Sequence, residues 1–530
     1  MTGLLQDRVT HQADRNAGKR AIVMGNDSLT YGELEEAGNR LARVLQDTGC
    51  EPGDRVALFL TKSPWAVVSM LATLKAGCIY VPIDIASPAA RLRRIVRSAE
   101  PRLVLASQAA RDLLDDLVEG GDLDGVPVGS IDPTPLVGRS VQSMFTRSDW
   151  SGYAASPPAS RGSGDDIVHL LFTSGSTGAP KGVMITHANV ASFITWATGY
   201  FGMTASDRIS GHPPLVFDLS TFDIYGTLSV GAELHLVPPE TNLAPHKLAE
   251  LIRSSQLTQW FSVPSTMTYM AKFDALGRGD FPALKRVLWC GEVLPTPTLL
   301  YWMERLPGVQ FTNLYGPTEA TIASSYYTMP ELPSSETEKV PIGMACAGEE
   351  LLLLDQTLRP APVGEIADLY IAGAGLSPGY WRDEEKTRAA FLPDPRSDDP
   401  TARIYRTGDL ARMTPDGMFH FVGRADSQIK SRGYRIELGE IEAALNSLAG
   451  LRECAVIGVP TGDFDNTAIC CAYATADGTG ASHLRGELRR LVPSYMLPSR
   501  WKEFDRLPKN SNGKIDRAML RGLFAQEVAG

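Results

Sequence analysis

The stretch Leu171–Asn189 reads LFTSGSTGAPKGVMITHAN, and it comprises an apolar run, a loop and a predicted helix. The loop carries hydroxyl side chains, glycines and one lysine, with no bulky side chain. Its candidate phosphate ligands are Thr173, Ser174, Gly175, Ser176, Thr177, Gly178 and Lys181. Glycines let a backbone fold closely around a ligand, and successive N–H groups form an anion-binding nest. The loop therefore predicts an oligophosphate site; a flexible Gly/Ser connector is the alternative.

This loop matches neither of two common nucleotide-binding motifs. A Walker A loop needs Gly-Lys followed by Ser or Thr, whereas Lys181 follows Pro180 and precedes Gly182. The stretch also lacks the pattern G-x-G-x-x-G. A different class of phosphate loop is therefore expected.

Length and charge set the broad class of the protein. The 530 residues exceed one ordinary core, so two or more domains are expected. The formal charge of -10 gives no support for a nucleic-acid or anionic-membrane partner. No apolar run approaches the roughly eighteen residues of a membrane helix, and the first residues do not read as a secretory signal. We expect no nucleic-acid partner and no membrane partner.

The seven cysteines form no disulfide or zinc pattern. They are Cys50, Cys78, Cys290, Cys346, Cys454, Cys470 and Cys471. Their number is odd and no C-x-x-C pair occurs, so a disulfide scaffold and a zinc site are both unexpected. A reducing, cytoplasmic location fits this sequence best.

Helix-like and strand-like segments alternate from the start of the chain. The pattern predicts helices over 29–44 and 66–76, and strands over 56–60 and 80–83. Alternation at this spacing indicates an α/β fold with parallel strands. Further strands are predicted over 233–237, 259–263 and 286–290. Ligands in open α/β sheets lie beyond the carboxyl ends of strands, so the turns after these segments are candidate site positions.

Two regions depart from this alternation. Residues 122–166 are rich in Gly, Pro, Ser and Asp and predict an irregular surface excursion. Residues 342–421 hold short strand-like pieces between Gly, Pro and Asp turns, which indicates a β-rich subdomain. A charged segment and a compact α/β ending follow. We place a boundary at Asp426, giving domains 1–425 and 426–530.

The string from Asn313 to Thr321, NLYGPTEAT, combines three kinds of nucleotide ligand. Tyr315 can stack on a nucleobase, and Asn313 offers an amide to base edges. Glu319 is a hard oxygen ligand suited to Mg²⁺ with ATP phosphates. Taken one at a time, these residues could equally form a Gly-Pro turn with a solvated glutamate.

Two later strings add possible ribose and phosphate contacts. Tyr405-Arg-Thr-Gly-Asp-Leu places Asp409 at a predicted turn, where its carboxylate can accept both ribose hydroxyls. An ordinary surface-turn aspartate is the alternative. Arg424 follows in Gly423-Arg424-x-Asp426 and is available for a phosphate or ribose.

Lys514 lies in the glycine-bearing segment LPKNSNGKIDR. Such a lysine is usually exposed. If the last domain docked this segment over the site, the ammonium could meet both an attacking carboxylate and the α-phosphate, and so align them and offset developing charge.

These strings occur in family order from Leu29 to Arg517. The chain resembles the adenylate-forming (ANL) superfamily, which includes acyl-CoA synthetases, luciferases and the adenylation domains of nonribosomal peptide synthetases. The resemblance implies an α/β fold in which a large N-terminal domain has two α/β sheets plus a β-rich subdomain. A small, mobile C-terminal α+β domain would follow. ATP and Mg²⁺ are the implied cofactors.

The resemblance also implies roles for single residues. Lys514 stands at the position of the catalytic lysine, Asp426 at the hinge and Phe421 near the ribose. Thr318 is implied in phosphate binding and Gly291 in nucleotide binding.

Asp218 in Val216-Phe-Asp-Leu-Ser is the most informative residue for the acyl substrate. A buried lone carboxylate is costly unless paired, and an α-ammonium is a natural partner. A helix-capping aspartate is the alternative. By resemblance, amino-acid-activating members carry an aspartate here that binds the substrate amine, so Asp218 favours an amino acid.

The resemblance extends to a whole amino acid pocket. Its implied lining is Asp218, Leu219, Phe222, Thr266 (or Ser265), Leu288, Cys290, Leu314, Ile322 and Ala323, with Lys514. Because this lining is apolar without a second charge, a small or compact neutral amino acid is expected: alanine, serine, valine or proline. An extra methylene is worth only about 1–3 kcal/mol in an apolar pocket, so broad specificity is compatible with it, and a β-amino acid stays open.

The resulting hypothesis is a two-step ligase of natural-product biosynthesis. ATP and an amino acid would give aminoacyl-AMP and pyrophosphate, and the phosphopantetheine thiol of a separate carrier protein would then take the acyl group. No carrier or condensation domain is visible in the sequence, so a free-standing adenylation enzyme is expected. The alternatives are an acyl-CoA synthetase, a luciferase-type oxygenase and a non-catalytic nucleotide-binding regulator.

Overall fold

Helices and strands alternate along the chain in a computed structural model that describes residues 3–159, 162–175, 179–461, 467–475, 478–510 and 515–529. The α-helices are α1 Leu5–Asn16, α2 Tyr31–Asp47, α3 Pro64–Lys75, α4 Ala89–Ala99, α5 Arg111–Glu119, α6 His187–Tyr200, α7 Leu219–Thr221, α8 Thr227–Ser229, α9 Pro245–Ser254, α10 Pro264–Lys272, α11 Thr296–Arg305, α12 Glu384–Ala390, α13 Leu438–Asn446, α14 Ala481–Leu488 and α15 Arg517–Ala529.

The strands follow the same alternation. They are β1 Arg20–Met24, β2 Asp27–Thr30, β3 Arg55–Phe59, β4 Ile79–Pro82, β5 Leu103–Ala106, β6 Val128–Ser130, β7 Ile167–Thr173, β8 Lys181–Thr186, β9 Arg208–Gly211, β10 Glu233–Leu236, β11 Gln259–Ser262, β12 Arg286–Cys290, β13 Gln310–Tyr315, β14 Ser325–Thr328, β15 Met344–Ala345, β16 Glu349–Leu354, β17 Ala367–Gly373, β18 Phe391–Pro393, β19 Arg403–Met413, β20 Phe419–Arg424, β21 Gln428–Ser431, β22 Tyr434–Glu437, β23 Leu451–Pro460, β24 Thr467–Thr475 and β25 Arg500–Glu503.

Local sequence signals explain where the early helices begin. The Thr30 side chain accepts a hydrogen bond from the Glu33 amide, and the Glu33 carboxylate accepts one from the Thr30 amide, so a capping box opens α2. Ser63 caps α3 and Pro64 takes its first position. Gly77 follows the end of α3 with a φ of 78°, a conformation that favours glycine.

Two large sheets, both mainly parallel, form the first part of the molecule. The smaller has the order β6-β5-β3-β4-β7-β8, with β8 antiparallel to β7. The larger has the order β15-β14-β13-β12-β11-β9-β10-β1-β2, and its strands from β13 to β1 are parallel. Helix α3 contacts β1 of the larger sheet and β3 and β4 of the smaller one. Its side chains are almost all buried, so the main core lies between the sheets.

An antiparallel sheet and a small last unit complete the described fold. The antiparallel sheet has the order β16-β17-β19-β18, with β20 on β19. The hairpin β21–β22 leads to the sheet β23-β24-β25. Val456 of β23 packs with α13 and α14, whereas its neighbour Ile457 packs with α15, because successive side chains of a strand point to opposite faces. The predicted α/β class, with a β-rich part and a small α+β ending, is confirmed; the boundary at Asp426 stays a prediction.

The region 122–166 is more regular than its composition predicted. Residues 128–130 form β6 at the edge of the smaller sheet, and Trp150 is buried. The ring of Phe145 covers Gly129, where a Cβ atom would lie 2.1 Å from Cζ of that ring. The expectation of an irregular surface excursion is wrong at β6 and at the buried Trp150, whereas most of the other described residues of this region lie outside helices and strands as predicted.

All seven cysteines are buried and free of disulfides, and the cytoplasmic location stays a prediction. In the described parts of the chain, no helix has the length and apolar character that a bilayer crossing requires.

Candidate active site

A cavity of about 140 Å³ lies where the parallel strands of the larger sheet end. Val263 follows β11, Gly291 follows β12 and Thr318 lies beyond β13, and all three line the cavity. Gly291 has a φ of 98°, which favours glycine at this turn. The end of β7 contributes Thr173 and Ser174 from the smaller sheet. The carboxyl ends of strands from both sheets thus meet at one cavity, as expected for a ligand site in an α/β fold.

Two described residues of the predicted phosphate loop, Thr173 and Ser174, line this cavity, whereas Gly175 and Lys181 do not. Thr173 Oγ1 is buried, with no hydrogen-bond partner among the described residues. Ser174 Oγ donates to the carbonyl oxygen of Arg435 at 2.7 Å. Lys181 Nζ lies 4.6 Å from the ring centre of Tyr380. The predicted contacts of Ser176, Thr177 and Gly178 lie outside the described residues.

Tyr315 and Asp409 meet beside the cavity, although the chain separates them widely. The Tyr315 hydroxyl donates to Asp409 Oδ2 at 2.5 Å, and Arg424 Nη1 donates to Oδ1 at 2.5 Å. Asp409 lies within β19, opposite Arg424 of β20, and not at a turn as predicted. The neighbouring Gly408 has a φ of 74°, a backbone conformation that is common in turns. Here it distorts β19 locally, but the strand continues through Met413.

Two other predicted nucleotide ligands have structural contacts. Asn313 Nδ2 donates to the carbonyl oxygen of Pro341 at 2.8 Å. Phe421 packs against a buried cluster that contains Tyr315 and Ala320. Contacts of Asn313 with a base and of Phe421 with a ribose stay predictions.

Most of the implied amino acid pocket is one apolar cluster. Its members from that prediction are Leu219, Phe222, Leu288, Cys290, Leu314, Ile322 and Ala323. Of these, Leu219, Cys290 and Ile322 line the cavity together with Asp218, and the other four pack behind them. Neither Thr266 nor Ser265 lines the cavity, and the Ser265 amide donates to Glu292 Oε2 at 3.0 Å.

Burial changes the titration of two groups in this pocket. It raises the pKa of Asp218 to about 6, against the effect of hydrogen bonds from the Thr318 hydroxyl and the Leu219 amide. It raises the pKa of the Cys290 thiol to about 12. Cys290 is therefore a small neutral side chain at neutral pH, whereas Asp218 is available as a carboxylate above about pH 6.

Glu319, the predicted Mg²⁺ ligand, is fully buried and already paired. Oε2 accepts a hydrogen bond from Arg435 Nη1 at 2.6 Å, and Oε1 accepts one from the Tyr380 hydroxyl at 2.8 Å. Lys181 Nζ lies 3.8 Å from Oε1. Burial alone would raise the pKa of Glu319, but Arg435 and Lys181 lower it to about 2.

This arrangement does not fit a Mg²⁺ ion on Glu319. The ion would meet the Arg435 guanidinium at the same carboxylate oxygen. Among the described residues, no group of three or more His, Cys, Asp or Glu side chains is placed to hold a metal.

The predicted hinge and catalytic lysine lie farther along the chain. Asp426 Oδ2 accepts a hydrogen bond from Arg424 Nη2 at 2.6 Å. Lys514 lies outside the described residues. Two described residues near it in the chain have local contacts. Lys509 Nζ lies 2.8 Å from Glu453 Oε1, and Ile515 packs within the last unit. The hinge role of Asp426 and the catalytic role of Lys514 stay predictions.

The hairpin β21–β22 closes the cavity, although no role for its side chains was predicted from the sequence. The Gly433 amide donates to Glu292 Oε1 at 2.9 Å. The Tyr434 ring packs on Phe217 with centroids 4.9 Å apart, and Lys430, Tyr434 and Arg435 line the cavity. The string KSRGYRIELGEIE was visible as a charged segment, but its contacts with residues far away in the chain were not.

Comparisons with known proteins agree with this geometry. The family pattern described as AMP-binding enzyme matches residues 9–381, and the pattern described as AMP-binding enzyme C-terminal domain matches residues 440–514. L-proline--[L-prolyl-carrier protein] ligase of Streptomyces coelicolor is 35% identical over 524 residues, covering 97% of this chain and 95% of that protein. Bacitracin synthase 1 of Bacillus licheniformis is 34% identical over 525 residues, covering 98% of this chain. The chain spans only 9% of that synthase.

A solved structure shares this architecture over nearly all of the chain. It is holo-PA1221, an NRPS protein containing adenylation and PCP domains bound to a vinylsulfonamide inhibitor. The match has a TM-score of 0.79 at 26% identity and covers 98% of this chain and 84% of that one. The predicted superfamily and the prediction of an enzyme are therefore confirmed. The chain belongs to the AMP-binding enzyme family, whose pattern spans more than half of its length.

Proposed function

We propose that this protein activates a compact neutral amino acid with ATP and transfers the aminoacyl group to the thiol of a carrier protein. The observation that carries this proposal is the position of Asp218. Its carboxylate lines the same cavity as the phosphate-loop residues Thr173 and Ser174 and the proposed ribose ligand Asp409. One cavity can thus hold the amine of a substrate and the phosphates and ribose of ATP. Membership of the AMP-binding enzyme family supports the use of ATP.

In the first step, a carboxylate oxygen of the amino acid attacks the α-phosphorus of ATP. The bond to the β-phosphate breaks, pyrophosphate leaves and aminoacyl-AMP remains. Asp218 would pair with the ammonium, while Thr173, Ser174 and Lys181 would hold the phosphates. Lys514 would align the attacking carboxylate with the α-phosphate. Bound Mg²⁺ stays a prediction from the sequence.

In the second step, the thiol sulfur attacks the carbonyl carbon of aminoacyl-AMP and AMP leaves. The carrier partner is supported by the similarity to L-proline--[L-prolyl-carrier protein] ligase, because this chain covers nearly all of that protein. The adenylation and PCP domains of holo-PA1221 support the same partner class.

The size of the pocket supports a small or compact side chain. Phe222 and Leu314 fill the space behind the cavity wall, and each exposes at most 1% of its surface to solvent. The cavity wall itself is apolar at Leu219 and Ile322. Alanine, serine, valine and proline are the proposed candidates, and a β-amino acid is the alternative within the same mechanism.

Amino-acid-dependent exchange of pyrophosphate into ATP tests this proposal. Exchange should be driven by compact neutral amino acids, and Asp218→Asn should abolish it. Asp84→Asn is the matched control, because Asp84 lines the same cavity but caps the Ala86 amide and the Ser87 hydroxyl. Exchange driven only by fatty or aryl acids would instead support an acyl-CoA synthetase.

A second variant separates the remaining alternatives. Lys514→Ala should lower exchange by at least about 100-fold, the scale for loss of one electrostatic contact to a transition state. Full exchange in this variant would refute the role of Lys514. ATP binding without exchange in the wild-type protein would support a nucleotide-binding regulator, and oxygen uptake with the adenylate would support a luciferase-type oxygenase.

A further inference from the structure

Gly226 is a glycine inside a helix, although its backbone does not require one. It ends the π-helical turn Phe222–Gly226, which continues α7 into α8. Its φ of -60° and ψ of -49° are ordinary right-handed helical values that residues with a side chain adopt readily. Glycine destabilises a helix interior relative to alanine. The reason for a glycine at this position therefore lies in the side chains that surround it.

The ring of Phe222 lies directly over Gly226. A Cβ atom at Gly226 would lie 2.8 Å from Cδ2 and 2.9 Å from Cε2 of this ring. Because carbon atoms pack at about 3.5–4.0 Å, a methyl group at this position and the ring in its present place exclude each other. Gly226 therefore provides the space that the ring occupies.

This direction of the Phe222 side chain is unusual for a helix. Long side chains in helices point back toward the N-terminus, over the residues three and four positions earlier. For Phe222 those residues are Leu219 and Asp218, and both line the cavity. The ring lies over the residue four positions later instead, so it packs behind the cavity wall. The ordinary direction would bring the ring toward Asp218, the proposed amine ligand.

Two further rings hold Phe222 in its present place. Phe193 of α6 meets it edge-on, with centroids 5.4 Å apart and an interplanar angle of 88°. Phe261 of β11 lies 5.9 Å away at an angle of 69°. Such edge-to-face pairs are favourable. With Phe193, Phe261 and a methyl group on its other sides, a displaced ring can move toward the cavity, which is the space left open.

We propose that Gly226 sets the depth of the amino acid subsite by keeping the Phe222 ring out of it. The room kept free beside Asp218 suits a branched or cyclic side chain, so valine and proline fit better than alanine and serine. Gly226 acts through Phe222 and touches no substrate, so it is a positioning residue. This role rests on the proposed activation of an amino acid.

Amino-acid-dependent pyrophosphate exchange by Gly226→Ala tests this role. In the wild-type protein, the kcat/KM for valine should exceed that for alanine. The added methyl group should drive the Phe222 ring toward Leu219 and Asp218. The ratio of the two kcat/KM values should then fall by at least about 10-fold, the lower end of the discrimination that one methylene gives in an apolar pocket. A wild-type preference for alanine, an unchanged ratio or an equal loss for both amino acids would overturn the proposal.

Gly199→Ala is the matched control. Gly199 lies in α6, the helix that also carries Phe193, and a Cβ atom there would have nothing within 4 Å. Both variants therefore add one methyl group to a helix, but only the methyl group at Gly226 meets the Phe222 ring. Gly199→Ala should keep the wild-type ratio.

The variant Phe222→Val shows whether the ring transmits the effect. Valine has no atom beyond Cγ, and Cγ of Phe222 lies 3.9 Å from the Cβ position at Gly226. In the double variant, Phe222→Val with Gly226→Ala, the methyl group thus has no ring to displace. The ratio should then equal that of Phe222→Val alone, because the two positions are coupled. A further fall of the same size in the double variant would overturn the proposal.

Circular dichroism on heating should show that Gly226→Ala folds as the wild-type protein does. If Gly226→Ala did not fold while the double variant did, the ring could not move toward the cavity and the proposal would fail. If no amino acid drove exchange in the wild-type protein, the proposed function itself would fail. Exchange with a ratio that Gly226→Ala leaves unchanged would reject only the role of Gly226.

Discussion

The phenolic oxygen of Tyr315 lies 2.5 Å from Oδ2 of Asp409, and this hydrogen bond joins the end of β13 in the larger sheet to β19 in the antiparallel sheet. Arg424 takes the other oxygen of the same carboxylate. The two residues proposed for the base and the ribose thus hold each other in place. The proposed nucleotide site lies at a seam between two sheets, so its geometry depends on how they pack.

Tyr315→Phe should destabilise the protein through the loss of one hydrogen bond, because the substitution keeps the aromatic ring in place. The buried Asp409 carboxylate loses its hydroxyl donor, and hydrogen bonds to charged groups contribute about 1.5–3 kcal/mol. Urea denaturation should show a loss of this size in the free energy of unfolding. Tyr200→Phe is the control, since Tyr200 is 38% exposed and its hydroxyl meets Thr328 at 2.8 Å; it should change the free energy of unfolding by less than about 0.5 kcal/mol. Equal losses for both variants would contradict the importance of the Tyr315–Asp409 bond.

Acid should weaken amino acid binding through Asp218. Burial raises the pKa of this carboxyl to about 6, so it becomes neutral below that pH and carries its charge above it. The substrate amine stays protonated over the same range. The kcat/KM for the amino acid should therefore rise with pH and level off above about pH 6. A profile measured between pH 5 and 8 that stays flat, with exchange intact, would exclude Asp218 as the amine ligand.

A methyl group at Gly433 should hinder the thiol-transfer step selectively, because we propose that the last unit moves about Asp426 between the two steps and seats this hairpin for the second. Gly433 has a φ of 78°, and a Cβ atom there would lie 2.7 Å from Cγ1 of Val263. Such backbone strain costs about 1–3 kcal/mol, or roughly a 5- to 150-fold shift. Gly433→Ala should slow transfer from preformed aminoacyl-AMP to pantetheine by this factor and leave exchange nearly unchanged.

Gly423→Ala provides the control for this variant, because a methyl group at Gly423 of β20 meets open space. It should retain both activities. If Gly433→Ala slowed exchange as much as transfer, the hairpin would act in both steps and the proposed selectivity for transfer would be refuted.

Cys290→Ala should widen the range of amino acids that drive exchange. The Cys290 side chain lines the cavity, and burial keeps its thiol neutral by raising the pKa to about 12. Replacing it with alanine removes one heavy atom from the wall. The kcat/KM for exchange should increase for amino acids whose side chain is one methylene larger. Relative to the smaller amino acids, the gain should correspond to about 1–3 kcal/mol of discrimination. An unchanged preference across alanine, valine and leucine would show that Cys290 does not limit the pocket.

Prediction from sequence succeeded where a motif is local and failed where contacts are distant. Gly291 and Thr318 follow neighbouring parallel strands of the larger sheet, and such strand ends meet at one edge of a sheet, so their convergence was predictable; Thr173 ends a strand of the smaller sheet, and its place beside them was not. Arg435 was not assigned, because its contact with Ser174 spans 261 positions of the chain. A single sequence carries no signal for such a pair.

Composition misled in two places for a common reason. The composition of 122–166 predicted an irregular region and the string around Asp409 predicted a turn, yet Gly129 lies in β6 under the Phe145 ring and Gly408 lies within β19. Glycine serves both turns and close packing, so its presence alone does not distinguish them. Glu319 was predicted as a Mg²⁺ ligand, whereas the cation beside its carboxylate in this structure is the Arg435 guanidinium.

A single-turnover experiment tests the central claim most directly. The protein is mixed with ATP labelled at the α-phosphate and one compact neutral amino acid, and the products are separated before and after addition of a pantetheine thiol. The account predicts aminoacyl-AMP and pyrophosphate first, then AMP and an aminoacyl thioester in equal amounts. Unchanged ATP in the presence of every amino acid tested, or adenylates formed only from fatty or aryl acids, would contradict it.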